Sequence, residues 1–243
     1  MILRRWLNRL RSGPLASTED VVARVAASSA CSSRQEIWSQ IIQQAQAKSF
    51  LELGVLRGAF AEHILRHCPN IARYYMLDPW RHLDDWNKPS NNDQPKFDEI
   101  YAQAMARTDF VRERRIVLRG KTTEMIDEIP DQSLDIAYVD GDHTLRGIAI
   151  DLIRTYPKVR PGGILGGDDC TATIWQHEEK FEPTLVWPFA AHFAEGQGAP
   201  IVILPYNQFA IIKPSKSGND FRIIDTTQNY GERALLPQMS KRV

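Results

Sequence analysis

The chain has 243 residues, 43% hydrophobic and 25% charged, which excludes a disordered, collagen-like or low-complexity protein. Thirty Lys and Arg balance thirty Asp and Glu, and a zero net charge argues against a protein that coats nucleic acid, where phosphate neutralisation needs a basic excess. Cys31, Cys68 and Cys170 are too few and too scattered for a disulfide framework; they are read as small buried residues of a protein in the reducing cytoplasm.

At the N-terminus, Ile2, Leu3, Trp6, Leu7 and Leu10 recur at helical spacing among Arg4, Arg5, Arg9 and Arg11. This reads as a basic amphipathic helix ended by Gly13-Pro14. No apolar core follows it, so it is not read as a secretory signal. Its apolar stripe suits packing on the core or in a homodimer, with membrane-surface contact or an organellar presequence as alternatives. No transmembrane span is expected, because the longest charge-free stretch, Gly196 to Ile212, is broken by prolines and polar residues.

Ser33-Arg34-Gln35-Glu36 matches a capping box and opens a helix with Ile37, Trp38, Ile41, Ile42 and Ala45 on one face. Ser49 to Leu53 reads as a buried strand, Gly54 to Gly58 as a turn, and Phe60, Ala61, Ile64 and Leu65 as the stripe of the next helix. Tyr74 to Leu77 is a second strand, closed by Asp78-Pro79. A polar loop spans Arg81 to Pro95, and a helix Lys96 to Ala106. Ile116 to Leu118 is the third strand, Thr122 to Ile129 a short helix and Leu134 to Val139 the fourth strand. Leu145, Ile148, Leu152, Ile153 and Tyr156 define an amphipathic helix, and Gly163 to Gly167 a fifth strand placed by its context. Val186 to Ala194 reads as helix, and Ile201 to Leu204 with Phe209 to Ile212 as a hairpin. The expected fold is therefore α/β: a doubly wound, mainly parallel, seven-stranded sheet with an antiparallel C-terminal hairpin. The expected organisation is a helical extension over 1–43, a ligand-binding domain over 44–213 and an arm over 214–243.

In such sheets ligands sit beyond the carboxyl ends of the strands. Glu52-x-Gly54-x-x-x-Gly58 lies there between strand and helix, and Asp78 ends the next strand, where a carboxylate can accept both hydroxyls of a ribose. A pyrophosphate site would more often read G-x-G-x-x-G, and Glu52 would repel a phosphate. The pattern therefore points to a nucleoside with a cationic portion, such as S-adenosylmethionine. Asp140, Asp142, Asp168 and Asp169 crowd the ends of two further strands, and a cation such as Mg²⁺ would relieve their repulsion.

Glu52-Leu53-Gly54-Val55-Leu56-Arg57-Gly58 and Tyr75-Met76-Leu77-Asp78-Pro79-Trp80 resemble the first two motifs of class I S-adenosylmethionine-dependent methyltransferases. Tyr138 to His143 and Pro161 to Asp169 resemble the fourth and fifth strands of the macrocin- and catechol-type small-molecule O-methyltransferases. The resemblance spans residues 45–213. It implies a Rossmann-like fold, S-adenosylmethionine as cofactor and methyl transfer to a hydroxyl of a small-molecule acceptor. It assigns Glu52, Gly54, Gly58, Asp78, Thr122, Thr123 and Asp140 to the cofactor. It assigns Asp140, Asp168 and Asp169 to Mg²⁺, and His143 or Asp142 to the catalytic base, an imidazole suiting that task near neutral pH. His177 and His192, with Trp80, Trp86 and Trp175, are candidates for the acceptor wall, whereas His63, His67 and His82 are read as having no chemistry. The alternatives are a nucleotide-dependent oxidoreductase and a non-catalytic S-adenosylmethionine-binding module.

Overall fold

The computed structural model describes residues 17–28, 30–171, 173–178 and 180–227. The basic helix expected before Gly13 lies outside the described residues. Among the described residues no helix is long and apolar enough to cross a membrane.

Two capped helices come first, α1 (Thr18–Ala26) and α2 (Arg34–Gln44). In α1 the Ser17 Oγ accepts from the Asp20 N–H, and Asp20 accepts in return from the Ser17 N–H at 3.1 Å. In α2 only half of the expected box forms. Ser33 Oγ accepts from the Glu36 N–H at 3.3 Å, but the Glu36 carboxylate turns one residue back to the Ser32 N–H at 2.7 Å.

From there strand and helix alternate: β1 (Ser49–Leu53), α3 (Ala59–His67), β2 (Arg73–Asp78), α4 (Gln94–Arg107), β3 (Arg115–Arg119), α5 (Thr122–Met125), β4 (Leu134–Val139), α6 (Leu145–Thr155) and β5 (Val159–Gly167). The chain continues through α7 (Val186–Gly196), β6 (Ile201–Leu204), β7 (Gln208–Ile212) and β8 (Ile223–Asp225). The sheet order is β3-β2-β1-β4-β5-β7-β6-β8. β7 runs antiparallel to both β5 and β6, while the pairs from β3 to β5 are parallel. The strand order reverses between β1 and β4, which opens a crevice at their carboxyl ends.

Two findings go beyond the expected elements. β8 lies in the segment read as an arm, and it adds an eighth strand parallel to β6. Leu145 and Ile153, placed in the buried stripe of α6, are 53% and 54% exposed. The helix turns Ile148, Asp151, Leu152 and Thr155 inward instead, so those two residues flank the contact face.

Alternation along each strand divides the core. Phe50, Tyr74, Met76, Ile136 and Tyr138 pack with α1 to α4 on one face. Leu51, Leu53, Leu77, Ala137 and Val139 pack with α6 and α7 on the other. Residues 17–44 thus share one core with the strands. Trp38 of α2 is fully buried, edge-on to Tyr138 with 5.2 Å between ring centroids, and donates from Nε1 to Gln208 Oε1 at 3.0 Å. A Cβ on Gly166 would lie 2.4 Å from the Trp38 ring, so the glycine lets α2 sit flush on β5. This contact brings the first turn of α2 over the carboxyl ends of β4 and β5.

Candidate active site

A cavity of about 580 Å³ opens at the carboxyl ends of β1, β2 and β4, and its lining includes Gly54, Asp78, Thr122, Asp140, His143 and Asp169. Its size falls within the range of small-molecule sites.

The β1 turn forms one side. Gly54 has φ +87°, and a Cβ there would lie 2.0 Å from the Asp140 carbonyl oxygen. The glycine is therefore demanded by the chain leaving β4, before any ligand is considered. Gly58, also left-handed, stands at the N-cap of α3.

Asp78 braces this turn. Its Oδ2 accepts from the Val55 and Leu56 N–H groups at 2.9 and 2.8 Å, and its Oδ1 from the Trp80 N–H at 2.7 Å. A carboxylate offers about four lone-pair sites, so three are taken and one remains on Oδ1. The expectation that it accepts two ribose hydroxyls is corrected to room for one. Burial raises the Asp78 pKa, and the three N–H groups oppose that rise.

Glu52 is likewise engaged by the protein itself. It is 2% exposed, and its Oε2 accepts from the Tyr74 hydroxyl at 2.8 Å. Burial drives its pKa well above the carboxylate range, against the Tyr74 bond. Glu52 lines the cavity, and burial there disfavours its charged form. Thr122 and Thr123 both line it too, but the Thr122 hydroxyl donates to Asp151 Oδ1 at 2.6 Å. Burial pushes the Asp151 carboxyl up to about 7.

The acidic residues form the opposite side. Arg34, the first residue of α2, donates from Nη1 to Asp140 Oδ2 at 3.0 Å and pairs through the same nitrogen with Asp168 Oδ2. Asp168 Oδ1 accepts from Gln208 Nε2 and from the Asp169 N–H. Asp142 Oδ1 accepts from Trp86 Nε1 at 3.1 Å and from the Thr144 N–H at 3.0 Å.

His143 stands between two carboxylates. Its Nδ1 lies 2.5 Å from Asp169 Oδ2, and its Nε2 lies 3.4 Å from Asp140 Oδ1. The second approach lacks hydrogen-bond alignment, and buried Nε2 has no hydrogen-bond partner. Burial works against the charged imidazole, but Asp140 and Asp169 outweigh it and push the pKa up to about 10. The same contact with His143 overcomes burial at Asp169 and holds that carboxyl at about 2.

The expected Mg²⁺ ligands Asp140, Asp168 and Asp169 do not form one set. Donor atoms of Asp140, His143 and Asp169 lie within 4.8 Å of one another, while Asp168 is turned to Arg34 and Gln208. Mg²⁺ prefers near-octahedral oxygen ligands. A ring nitrogen in the set, and a guanidinium on two of the three carboxylates, do not fit it.

Sequence reasoning missed Arg34, Tyr74 and Asp151. In the loop after β2 it singled out only Trp86, for the acceptor wall. Asn91 ties that loop together, its amide donating to the Leu83 and Trp86 carbonyls at 2.7 and 2.8 Å. Lys88, only 5% exposed, donates to the Glu182 and Pro183 carbonyls, and Arg146 donates to the Asp85 carbonyl. The loop is thus docked along the cavity. Of the aromatic and histidine candidates, Trp86 and His177 line the cavity. Trp80 is a core residue whose Nε1 donates to the Leu56 carbonyl, and His192 is largely exposed.

Comparison with known proteins decides what this geometry belongs to. The family described as a methyltransferase domain matches residues 51–170. About half of the chain is thus similar to a methyltransferase domain. A stretch of 101 residues is 31% identical to the uncharacterized protein y4gI of Sinorhizobium fredii, covering 38% of this chain and 11% of that relative. Among solved structures, one assigned as a caffeoyl-CoA O-methyltransferase from Staphylococcus aureus superposes with TM-score 0.55 at 13% identity, over 87% of this chain and 100% of that one. The O-methyltransferase from Bacillus cereus in complex with SAH gives 0.50 at 14% identity, over 88% and 98%. TomG from Streptomyces achromogenes, an O-methyltransferase of tomaymycin synthesis in complex with SAM, gives 0.51 at 13%, over 88% and 99%. The methyltransferase match leaves no support for the oxidoreductase alternative.

Proposed function

We propose that this methyltransferase moves the methyl group of S-adenosylmethionine to a hydroxyl oxygen of a small-molecule acceptor. One observation carries the reading: a single cavity is lined by the braced β1 turn with Asp78 and by His143, whose Nε2 has no hydrogen-bond partner. The solved O-methyltransferases with SAH and SAM support the cofactor and the oxygen acceptor.

The sulfonium of the cofactor supplies an already activated methyl group, so the protein mainly has to align and desolvate. Asp78 Oδ1 keeps a lone pair for one ribose hydroxyl, and the turn from Gly54 to Gly58 supplies backbone beside it. Thr122 and Thr123 lie on the same side, for the base. On the other side the acceptor hydroxyl gives its proton to His143 Nε2, while Asp169 holds Nδ1 and fixes the ring. The C–S bond breaks as the O–C bond forms, and sulfur keeps the electron pair. Because two carboxylates favour the charged ring, His143 becomes a competent base as pH rises. Asp142 accepts from Trp86 Nε1 and the Thr144 N–H, which ties the loop after β2 to the start of α6; it is the substitute base if His143 is dispensable. No step runs through Mg²⁺, because the residues do not fit it.

Calorimetry with S-adenosylmethionine and its demethylated product tests the cofactor, and mass spectrometry over an acceptor panel tests the transfer. Absence of binding to folded protein ends the reading. Binding without transfer to any acceptor, with His143→Ala indistinguishable from wild type, leaves only a binding module. A cytoplasmic homodimer formed through residues 1–14 is a separate proposal, resting on the apolar stripe in that segment. Light scattering of a chain lacking those residues tests it.

A further inference from the structure

We propose that Arg34 is the resident cation of the acidic cluster and that this methyltransferase works without a divalent metal. The second half rests on the methyl-transfer reading; the first stands on geometry alone.

Three carboxylates, Asp140, Asp168 and Asp169, meet at the ends of β4 and β5. Crowded carboxylates repel, and the protein must either neutralise them or leave them to an added cation. Here the chain supplies the neutralising group. Arg34 Nη1 bonds Asp140 Oδ2 at 3.0 Å and pairs with Asp168 Oδ2. The Tyr138 hydroxyl lies 3.4 Å from the same nitrogen, and the guanidinium carbon stands 5.9 Å from the centroid of the Phe60 ring. His143 attends to the third carboxylate, Asp169. A guanidinium keeps its charge throughout the physiological range and forks across carboxylates, so it is suited to a permanent counter-ion.

Its position is built into the fold. Ser33 caps α2 immediately before Arg34, and Trp38 one turn later is wedged against Gly166 and bonded to Gln208. Gln208 in turn donates to Asp168, the residue that pairs with Arg34. A divalent ion at Asp140 and Asp168 would have to displace the guanidinium from both. Arg34 lines the same cavity as His143, so it adds a fixed positive charge to the wall where the acceptor oxygen becomes negative.

The test uses the full chain, stripped with EDTA and titrated with MgCl₂ and MnCl₂ by calorimetry and thermal melting. Wild type should give neither binding heat nor a shift in Tm at millimolar metal. Arg34→Gln keeps length and polarity but bares the carboxylates, and should acquire metal binding at least about tenfold tighter. Arg34→Lys retains the charge and should behave as wild type. Sub-millimolar Mg²⁺ or Mn²⁺ binding by wild type overturns the proposal, as does Arg34→Gln binding no tighter. If Arg34→Gln fails to fold, the wild-type titration and Arg34→Lys decide: metal binding by either overturns it. Binding of S-adenosylhomocysteine, measured in EDTA and in Mg²⁺, should agree within about twofold. No binding in either buffer overturns the methyl-transfer reading and leaves the metal result standing. Full turnover in EDTA supports the second half, and turnover only with added metal refutes it.

Discussion

Asp78→Ala should cost stability as well as cofactor affinity, because the carboxylate holds the β1 turn before it holds any ligand. The Val55 and Trp80 N–H groups that it accepts belong to buried residues, while Leu56 is 40% exposed and its N–H can be hydrated. Removing the carboxylate strands two buried donors, each worth roughly 1–3 kcal/mol. Part of that loss is offset, because the mutant no longer buries a carboxylate whose pKa burial has raised. A net loss of about 2–4 kcal/mol follows, which for a chain of this size lowers Tm by roughly 5–15 °C. Urea denaturation should show the midpoint falling with the slope unchanged. Calorimetry on the folded fraction then reads the affinity loss for S-adenosylhomocysteine separately. Asp78→Asn keeps one acceptor oxygen but turns an NH₂ toward an N–H, so it should lie between Ala and wild type. A wild-type midpoint in Asp78→Ala would refute the bracing role. A wild-type midpoint together with unchanged affinity would remove Asp78 from the site.

Asp151 predicts a pH-dependent stability. Its carboxyl is pushed up to about 7 from an ordinary 3.8, so between those values the native state holds a proton that the unfolded chain has lost. Stability from this group is full below pH ~4, falls as pH rises to ~7, and stays lost above that. Asp151→Asn still accepts from Thr122 and should raise stability at pH 8 by a few kcal/mol at most, at about 1.4 per pKa unit. Urea melts from pH 5 to 8 that fall in parallel for both proteins would contradict this. Gly54→Ala drives a Cβ to within 2.0 Å of the Asp140 carbonyl at a positive φ, so it should lose at least about 3 kcal/mol or fail to fold. A soluble Gly54→Ala with a wild-type urea midpoint would refute the packing of the two strand ends. For His143, kcat should climb from neutral pH toward about 10 rather than level off near 7, since its carboxylates hold the proton. His143→Ala should lose roughly 10²–10⁴ in kcat together with that limb. A wild-type limb near pH 6.5 would show that the carboxylates do not hold the ring.

The strands and helices that position the site were legible because their signals are local. Phe50, Leu51 and Leu53 make β1 mainly apolar, and both of its faces are covered, so hydrophobicity marks it. β5 is rich in glycine and poor in propensity, but its context between α6 and the hairpin placed it. β8 was not legible, because Ile223 to Asp225 is three residues long and pairs only with β6. The acidic residues were legible as a cluster, whereas their partners were not. Arg34 precedes Asp140 by 106 residues and Asp168 by still more, and its immediate neighbours read only as a helix cap. Side-chain orientation was the other missing quantity. Glu52 ends up against Tyr74, and Asp168 against Gln208, because of strand alternation and β-pairing partners that spacing alone does not rank.

The two halves of the cavity are one mechanical unit. Asp140 donates its backbone N–H to the Leu53 carbonyl at 2.7 Å, and its own carbonyl fills the space that a side chain at residue 54 would need. Gly54 donates to the Leu77 carbonyl at 2.9 Å, and Asp78, the next residue, reaches back to Val55 and Leu56. A shift of the Asp140 backbone therefore presses directly on the turn that Asp78, the proposed ribose contact, braces. The Asp140 side chain is bonded to Arg34, whose helix is seated by Trp38 on β5. Interior packing passes such displacements on rather than absorbing them. Arg34 substitutions should consequently change cofactor affinity even though Arg34 stands with the acids at the ends of β4 and β5. The coupling is measured by a double-mutant cycle between Arg34→Gln and Asp78→Asn, read by calorimetry with S-adenosylhomocysteine. Residues in one connected network typically couple by about 0.5–3 kcal/mol, whereas strict additivity would show that the two subsites move independently and that the shared backbone transmits nothing.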